Sequence, residues 1–214
     1  MPPMWPESSD TQKLLAEIRE GDGAAVNRLL DRHRAAVKRM VDLRIDPVLQ
    51  RRVDASDIVQ EVLIEANRRL GDYLANPVMP FHLWLRQIGM DRLIDAHRRH
   101  RVAARRSMDR ERPLVAAVKT EQSTLDLAGQ LSDKQLTPAA AATWRELQRR
   151  FEQACEQLDP QDQEIVLMRH FEQLSNSEAA DALGLSAQAA SMRHLRAMRR
   201  LRSYLHDVDP AQQN

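Results

Sequence analysis

The segment Ser175–Arg202 constrains this chain more than any other, because it encodes two short helices and the turn between them. Ser175 and Glu178 stand three residues apart. The hydroxyl can accept from the amide of Glu178 while the carboxylate returns to the amide of Ser175, the capping box that opens a helix. Gly184 can take the left-handed conformation that ends it, and Ser186 can cap the next helix. Ala179, Ala180, Leu183 and Leu185 supply apolar contacts between the two. From Ser186 to Arg202 the second helix carries Arg193, Arg196, Arg199, Arg200 and Arg202 and no acid. Phosphate oxygens attract such a helix, and Ala187, Ala189, Ala190 and Ser191 leave its start slim enough to approach a groove. The pattern predicts a helix-turn-helix that contacts DNA.

The rest of the chain supports a helical reading. Only six glycines interrupt long segments rich in Ala, Leu, Arg, Glu and Gln, which predicts an all-α fold. At 214 residues there is room for one large domain or two small ones. Aromatic residues are 4% of the chain, so its cores must be built from Leu, Ile, Val, Met and Ala. The net charge of +1 hides an asymmetry: Arg92–Arg106 holds six arginines against Asp95, whereas Glu152–Asp181 holds eight acids against Arg169. Basic charge gathered on two helices is how a nucleic-acid surface is built. The single cysteine, Cys155, excludes an internal disulfide framework and points to a reducing compartment. No apolar run approaches the ~20 residues of a membrane span. Met1–Glu7 lacks the basic and apolar stretches of a signal peptide. A cytoplasmic protein without membrane insertion is expected.

Periodicity divides the chain. Residues 1–9 read as a disordered tail. A helix near Asp10 buries Leu14, Leu15 and Ile18 and breaks at Gly21-Asp22-Gly23. The next carries Val26, Leu29, Leu30, Val37, Met40 and Val41 and ends at Asp46-Pro47. Asp54 opens a third, with Ile58, Val59, Val62, Leu63, Ala66 and Leu70 on its apolar stripe and Gly71 closing it. Residues 71–80 read as a loop. Pro80 starts a long helix that buries Phe81, Trp84, Leu85, Ile88 and Ile94 and reaches about Arg106. Residues 107–137 read as a flexible linker and 138–206 as a second helical domain, with 207–214 a tail. In that domain Trp144, Leu147, Phe151, Ala154 and Leu158 form one stripe, and Asp159-Pro160 restarts a helix.

Three motifs together resemble the bacterial sigma factors of the extracytoplasmic-function type. Asp54-Ala-Ser-Asp-Ile-Val-Gln-Glu-Val-Leu-Ile-Glu-Ala66 is similar to the D-x-x-D-h-V-Q-E-x-h-h-x-A segment of region two. Phe81-His-Leu-Trp-Leu-Arg-Gln-Ile88, continuing to Asp95-Ala-His-Arg-Arg99, resembles the helix that melts and recognises the −10 element. Leu158–Ser186 resembles region four. The resemblance spans residues 10–106 and 138–205, in family order on either side of the linker. It implies two small helical domains, no cofactor and no catalysis. It also implies core RNA polymerase (β′ coiled coil and β flap) and promoter DNA as partners, and allows an anti-sigma factor.

The resemblance assigns roles. Asp54, Asp57, Gln60, Glu61 and Glu65 would meet polymerase, since polar and acidic groups outside an apolar stripe suit a basic partner. Tyr73, Asn76, Arg92, Arg98, Arg99 and Arg101 would serve the −10 DNA, with residues 71–80 holding unstacked bases. Tyr73 has the alternative of covering the core. Asp91 stands where the family often has Asn, and a carboxylate cannot donate to a base. Ser186, Gln188, Ser191, Arg193, Arg196, Arg199 and Arg200 would serve the −35 element. Gln188 and Arg193 are expected on bases, and Arg196, Arg199 and Arg200 on phosphate. The rival readings are a helix-turn-helix regulator outside the polymerase and a metal-dependent nucleic-acid enzyme using the Asp91–His100 helix. His97-x-x-His100 has metal spacing but stands among arginines, and Cys155 reads as an inert core thiol.

Overall fold

Carboxylates start the two central helices of the N-terminal half. Asp22 accepts from the amides of Ala24 (2.9 Å) and Ala25 (3.3 Å), and Asp54 accepts from the amide of Ser56 (2.8 Å). The computed structural model describes residues 4–45, 47–50, 52–105 and 153–207, without the side chains of 47, 48, 100–105 and 205–207. The chain divides into two units. In the first, the order is α1 (Ser8–Arg19), α2 (Gly23–Asp42), α3 (Pro47–Gln50), α4 (Ala55–Ala75) and α5 (Phe81–Arg105). No strand occurs among the described residues.

Helix α1 packs on α2, and α2, α4 and α5 pack on one another. Their shared core holds Leu29, Val37, Met40 and Val41 of α2, Ile58, Val62 and Ala66 of α4, and Phe81, Leu85 and Ile88 of α5, all nearly or fully buried. The apolar stripes predicted for α2 and α4 are therefore the core faces. Gly89 lets α5 come close to α2: the end of the Met40 side chain fills the space a Cβ would take.

Four expectations need correction. Residues 4–9 are not all tail: Met4 and Trp5 are buried, and the Trp5 ring lies against His33 and His82 (centroids 6.4 and 5.9 Å), so the fold starts before α1. Helix α2 stops at Asp42, and Leu43, Ile45 and Leu49 carry the core onward through the one-turn α3. Gly71 does not close α4, which runs on to Ala75 and so places Tyr73 in the core. Ile94 is half exposed and does not join the core.

The loop is thereby shortened to residues 76–80. The Tyr73 hydroxyl donates to the carbonyl of Met79 (3.0 Å), and its ring packs on Phe81 and Trp84 (5.6 and 4.7 Å).

The second unit, as described, holds a last helical turn at residues 153–156, then α6 (Pro160–Val166), a π-helical turn (Leu167–Phe171), α7 (Asn176–Leu183) and α8 (Ala187–Asp207). Asp159 caps α6 by accepting from the amide of Asp162 (3.0 Å), with Pro160 at the first position as expected. The buried Gln163 side chain donates to the carbonyls of Cys155 (2.7 Å) and Leu158 (3.2 Å), closing the end of the preceding helix. Helix α6 does not continue regularly. It widens into the π turn, and Gln173 then takes a left-handed φ of 58° that turns the chain toward Ser175. Burial of Met168, Phe171 and Leu174 holds that geometry. The stripe residues Trp144, Leu147 and Phe151, and the linker boundaries at 107 and 137, lie outside the described residues.

His33 is fully buried on α2, edge-on to Phe81 (5.0 Å). The Thr11 hydroxyl donates to the Glu7 carbonyl (3.1 Å), so its oxygen accepts from Nε2–H of His33 (3.2 Å). Nδ1 is left as a bare lone pair with no partner among the described residues. Burial, then the charges of His82 and Arg32, push this imidazole from 6.5 down to about 4. A depressed histidine is neutral in the fold and binds its proton first when unfolded. The stability tied to it is present above pH 6.5 and is lost as pH falls toward 4, by on the order of 3 kcal/mol. Urea unfolding across that window should show a pH slope for the natural chain that His33→Gln flattens. Gly71 is exposed inside α4 with nothing within 4 Å of an added Cβ. Gly71→Ala should raise the stability of this unit by about 0.5–1 kcal/mol in the same assay.

Candidate nucleic-acid and docking surfaces

Helix α4 buries Ile58, Val62 and Ala66, so the opposite side presents Asp57, Gln60, Glu61, Ile64, Asn67 and Arg68. Ile64 is 69% exposed in the middle of this polar face, and the apolar stripe gave no hint of it. Asp54 caps the helix and remains exposed; the Ser56 hydrogen bonds hold its carboxyl below the ordinary range. Glu65 is different. It accepts from Arg68 (2.6 and 3.0 Å) and Arg69 and lies 3.5 Å from Arg92, with its side chain 12% exposed. The Arg68 and Arg69 hydrogen bonds lower it to about 2, so it is a carboxylate throughout the physiological range. Enclosed by three guanidinium groups, Glu65 links α4 to α5 and is less open than Glu61 on the face expected to dock.

The same pairing changes the arginines of α5. Arg99 embraces Glu61 with both terminal nitrogens (2.8–3.2 Å), and this contact raises the guanidinium further above its ordinary range. Arg92 stands between Glu65 and Asp95, with its Nε buried and unpartnered. Both guanidinium groups expected at the −10 DNA thus stand beside a carboxylate. Arg98 is exposed and forms no ion pair among the described residues. Arg101 lies on α5, its side chain outside the described residues. Asn76 is exposed where α4 ends, and Val78 of the loop is 72% exposed. Tyr73 is 5% exposed and serves the core, the alternative weighed for it. Asp91 is exposed, and His97 is buried.

In the second unit the helix-turn-helix forms as expected. Ser175 Oγ accepts from the Glu178 amide (3.2 Å), the Glu178 carboxylate accepts from the Ser175 amide (2.7 Å), and Gly184 is left-handed at φ 64°. Ser186 Oγ accepts from the Ala189 amide (3.1 Å). Two contacts had no sequence signal. The Asn176 side chain donates to the Ala187 carbonyl (2.8 Å), and His170 of the π turn meets His194 of α8, Nε2 to Nε2, at 2.9 Å. Burial and the charge of Arg169 hold both imidazoles below their ordinary range, and for His170 the charge of His194 adds to this. Ala190, Ala197 and Leu201 are the buried side of α8.

The comparisons agree with this anatomy. The model described as Sigma-70 region 2 matches residues 25–102, and Sigma-70, region 4 matches 148–201. The chain belongs to the sigma-70 family. It is 29% identical to the RNA polymerase sigma factor CnrH of Cupriavidus metallidurans over 206 residues, covering 96% of this chain and 98% of that one. It is 27% identical to the extracytoplasmic-function sigma factor SigD of Mycobacterium tuberculosis, covering 94% and 86%. Among solved structures, CnrH in complex with the cytosolic domain of CnrY aligns over 95% of this chain and 100% of that one, with TM-score 0.56 at 24% identity.

Within this sigma factor, α8 sorts its polar residues by side. Ser186, Gln188, Ser191, Arg196, Arg199 and Arg202 are exposed and Arg193 is half-buried. Arg193, Arg196 and Arg200 line a shallow groove with Asp159, Gln161 and Asp162. Arg200 bridges Asp159 and Asp162 (both 2.9 Å), pinning α8 to the capped start of α6. Two carboxylates thus already engage the guanidinium that was expected on phosphate. Replacing Arg199 should therefore lower the salt dependence of promoter binding by about one charge, near 0.9 in the log–log slope. Arg200→Ala should leave that slope nearly unchanged and cost up to ~1 kcal/mol of stability. Salt titrations of binding and thermal unfolding of both variants separate the two roles.

Proposed function

We propose that this sigma factor docks on core RNA polymerase through α4, holds the −10 region with α5 and the 76–80 loop, and reads the −35 element with α8. The observation that carries the reading is the pairing of region 2 and region 4, in order, in a chain aligned along nearly its full length with named sigma factors. Asp57, Gln60, Glu61 and Ile64 form the docking face. An exposed apolar side chain ringed by polar groups is how a protein contact is commonly centred. Asn76, Arg98 and Arg101 serve the −10 DNA, and Ser186, Gln188, Ser191, Arg196 and Arg199 serve the −35 element.

The chain acts as a regulatory subunit and not a catalyst, in the cytoplasm where its template is. No described helix is long and apolar enough to cross a membrane. An anti-sigma protein is a fitting regulator, since CnrH is solved with the cytosolic domain of CnrY, and RpoE of Bartonella quintana with the anti-sigma factor NepR (TM-score 0.52, 18% identity, 86% of this chain and 97% of that one).

Run-off transcription with purified core polymerase on a promoter library tests the whole reading: initiation confined to a shared promoter class is expected, and its absence overturns it. The docking face is tested at Glu61. Because Arg99 leans on this carboxylate, Glu61→Lys would also repel α5. Glu61→Gln is the cleaner change and should weaken core binding about five- to tenfold. Arg99→Ala, which frees Glu61, should not weaken it. Equal core affinity for Glu61→Gln and the natural chain would place the dock elsewhere.

A further inference from the structure

We propose that Met192 selects a thymine in the −35 element by packing its thioether against the 5-methyl group in the major groove, and that Arg193 does not read a base. This rests on the placement of α8 at the −35 element. The buried residues Ala190, Ala197 and Leu201 fix which side of α8 meets the domain, so the opposite side is set by helical spacing. That side is Gln188, Met192, Leu195 and Arg199, at intervals of four, three and four. Met192 is 49% exposed and Leu195 42%, two of the few large apolar side chains left in water in either unit. Arg193 and Arg200 lie a quarter-turn or more away, toward Asp159 and Asp162 in the groove they line.

The surroundings choose the occupant. Arg199 and Arg202 rim the strip, and Arg196 borders it on the side of the Asp159–Asp162 groove; none of the three forms an ion pair among the described residues, and α8 carries no acid before Asp207. An apolar centre inside a cationic rim suits a polyanion whose interior edge offers a methyl group. In the major groove only thymine among the four bases presents one. Gln188 stands one turn earlier, about 6 Å along the axis, close to the rise of two base pairs, and its amide suits adenine. The pair thus favours two A·T positions near each other.

The test uses the holoenzyme assembled on core polymerase and the −35 sequence it selects from a library, with each thymine replaced in turn by deoxyuridine. At one position the natural chain should lose about fourfold in promoter binding, which at 1.4 kcal/mol per decade is ~0.8 kcal/mol, the value of one buried methyl group. Met192→Ala should bind the unmodified promoter about fourfold more weakly and be indifferent to that replacement. Met192→Leu should restore the dependence. A holoenzyme that selects promoters yet is blind to every thymine methyl, or a Met192→Ala variant that keeps the dependence, overturns the proposal alone. Loss of core binding in Met192→Ala would assign the strip to a protein partner and also overturns it. A holoenzyme that selects no promoter fails at the earlier step and takes both readings down.

Discussion

Phe81 is where the N-terminal unit is tied together. Its ring meets His33 of α2, Tyr73 at the end of α4 and Trp84 of its own helix, and His33 in turn touches Trp5 ahead of α1. Rings from α2, α4 and α5 meet at this one buried side chain, and His33 extends the cluster to Trp5. In a chain with 4% aromatic residues, concentrating five of the aromatic or imidazole rings at one junction gives that junction unusual contact area. The lengths of α4 and of the loop after it follow from this: the helix must run past Gly71 to deliver Tyr73 to the cluster.

Charge is the second organising constraint. The basic α5 and the acidic face of α4 are neighbours, and they partly neutralise one another through Arg99–Glu61 and Arg92–Glu65. The C-terminal unit repeats the device with Arg200 on Asp159 and Asp162. Exposed pairs of this kind contribute little to stability, but they set which arginines would have to leave an acid to reach phosphate. Counting arginines on a helix overstates its capacity for DNA.

Much of this was legible from the residues. The capping box at Ser175, the left-handed Gly184, the caps at Asp54 and Asp159 and the stripes of α2 and α4 rest on local chemistry, and local chemistry is written in order along the chain. What escaped rests on contacts between distant positions. Nothing near Trp5 announces His33 or His82, so a proline-rich start read as tail. Nothing near Gln173 announces a left-handed turn, because Gln adopts it only under the pull of buried Phe171 and Leu174. For the sites, residue type was legible but availability was not: Glu65 and Arg200 have the right charge and are already engaged, whereas Ile64 and Met192 drew no notice because an apolar residue on a helix is ordinarily assumed to face inward.

The Tyr73–Met79 hydrogen bond reaches beyond packing. A five-residue connection between two helices could sample many shapes, and fixing a backbone residue costs about 1–2 kcal/mol of conformational entropy. Here the phenol tethers the connection from below, while Asn76 and Val78 stay in water. The entropy of shaping this loop is thus lost when the domain folds. Any group that meets this loop meets a surface already set, and its binding energy is not spent on ordering the backbone.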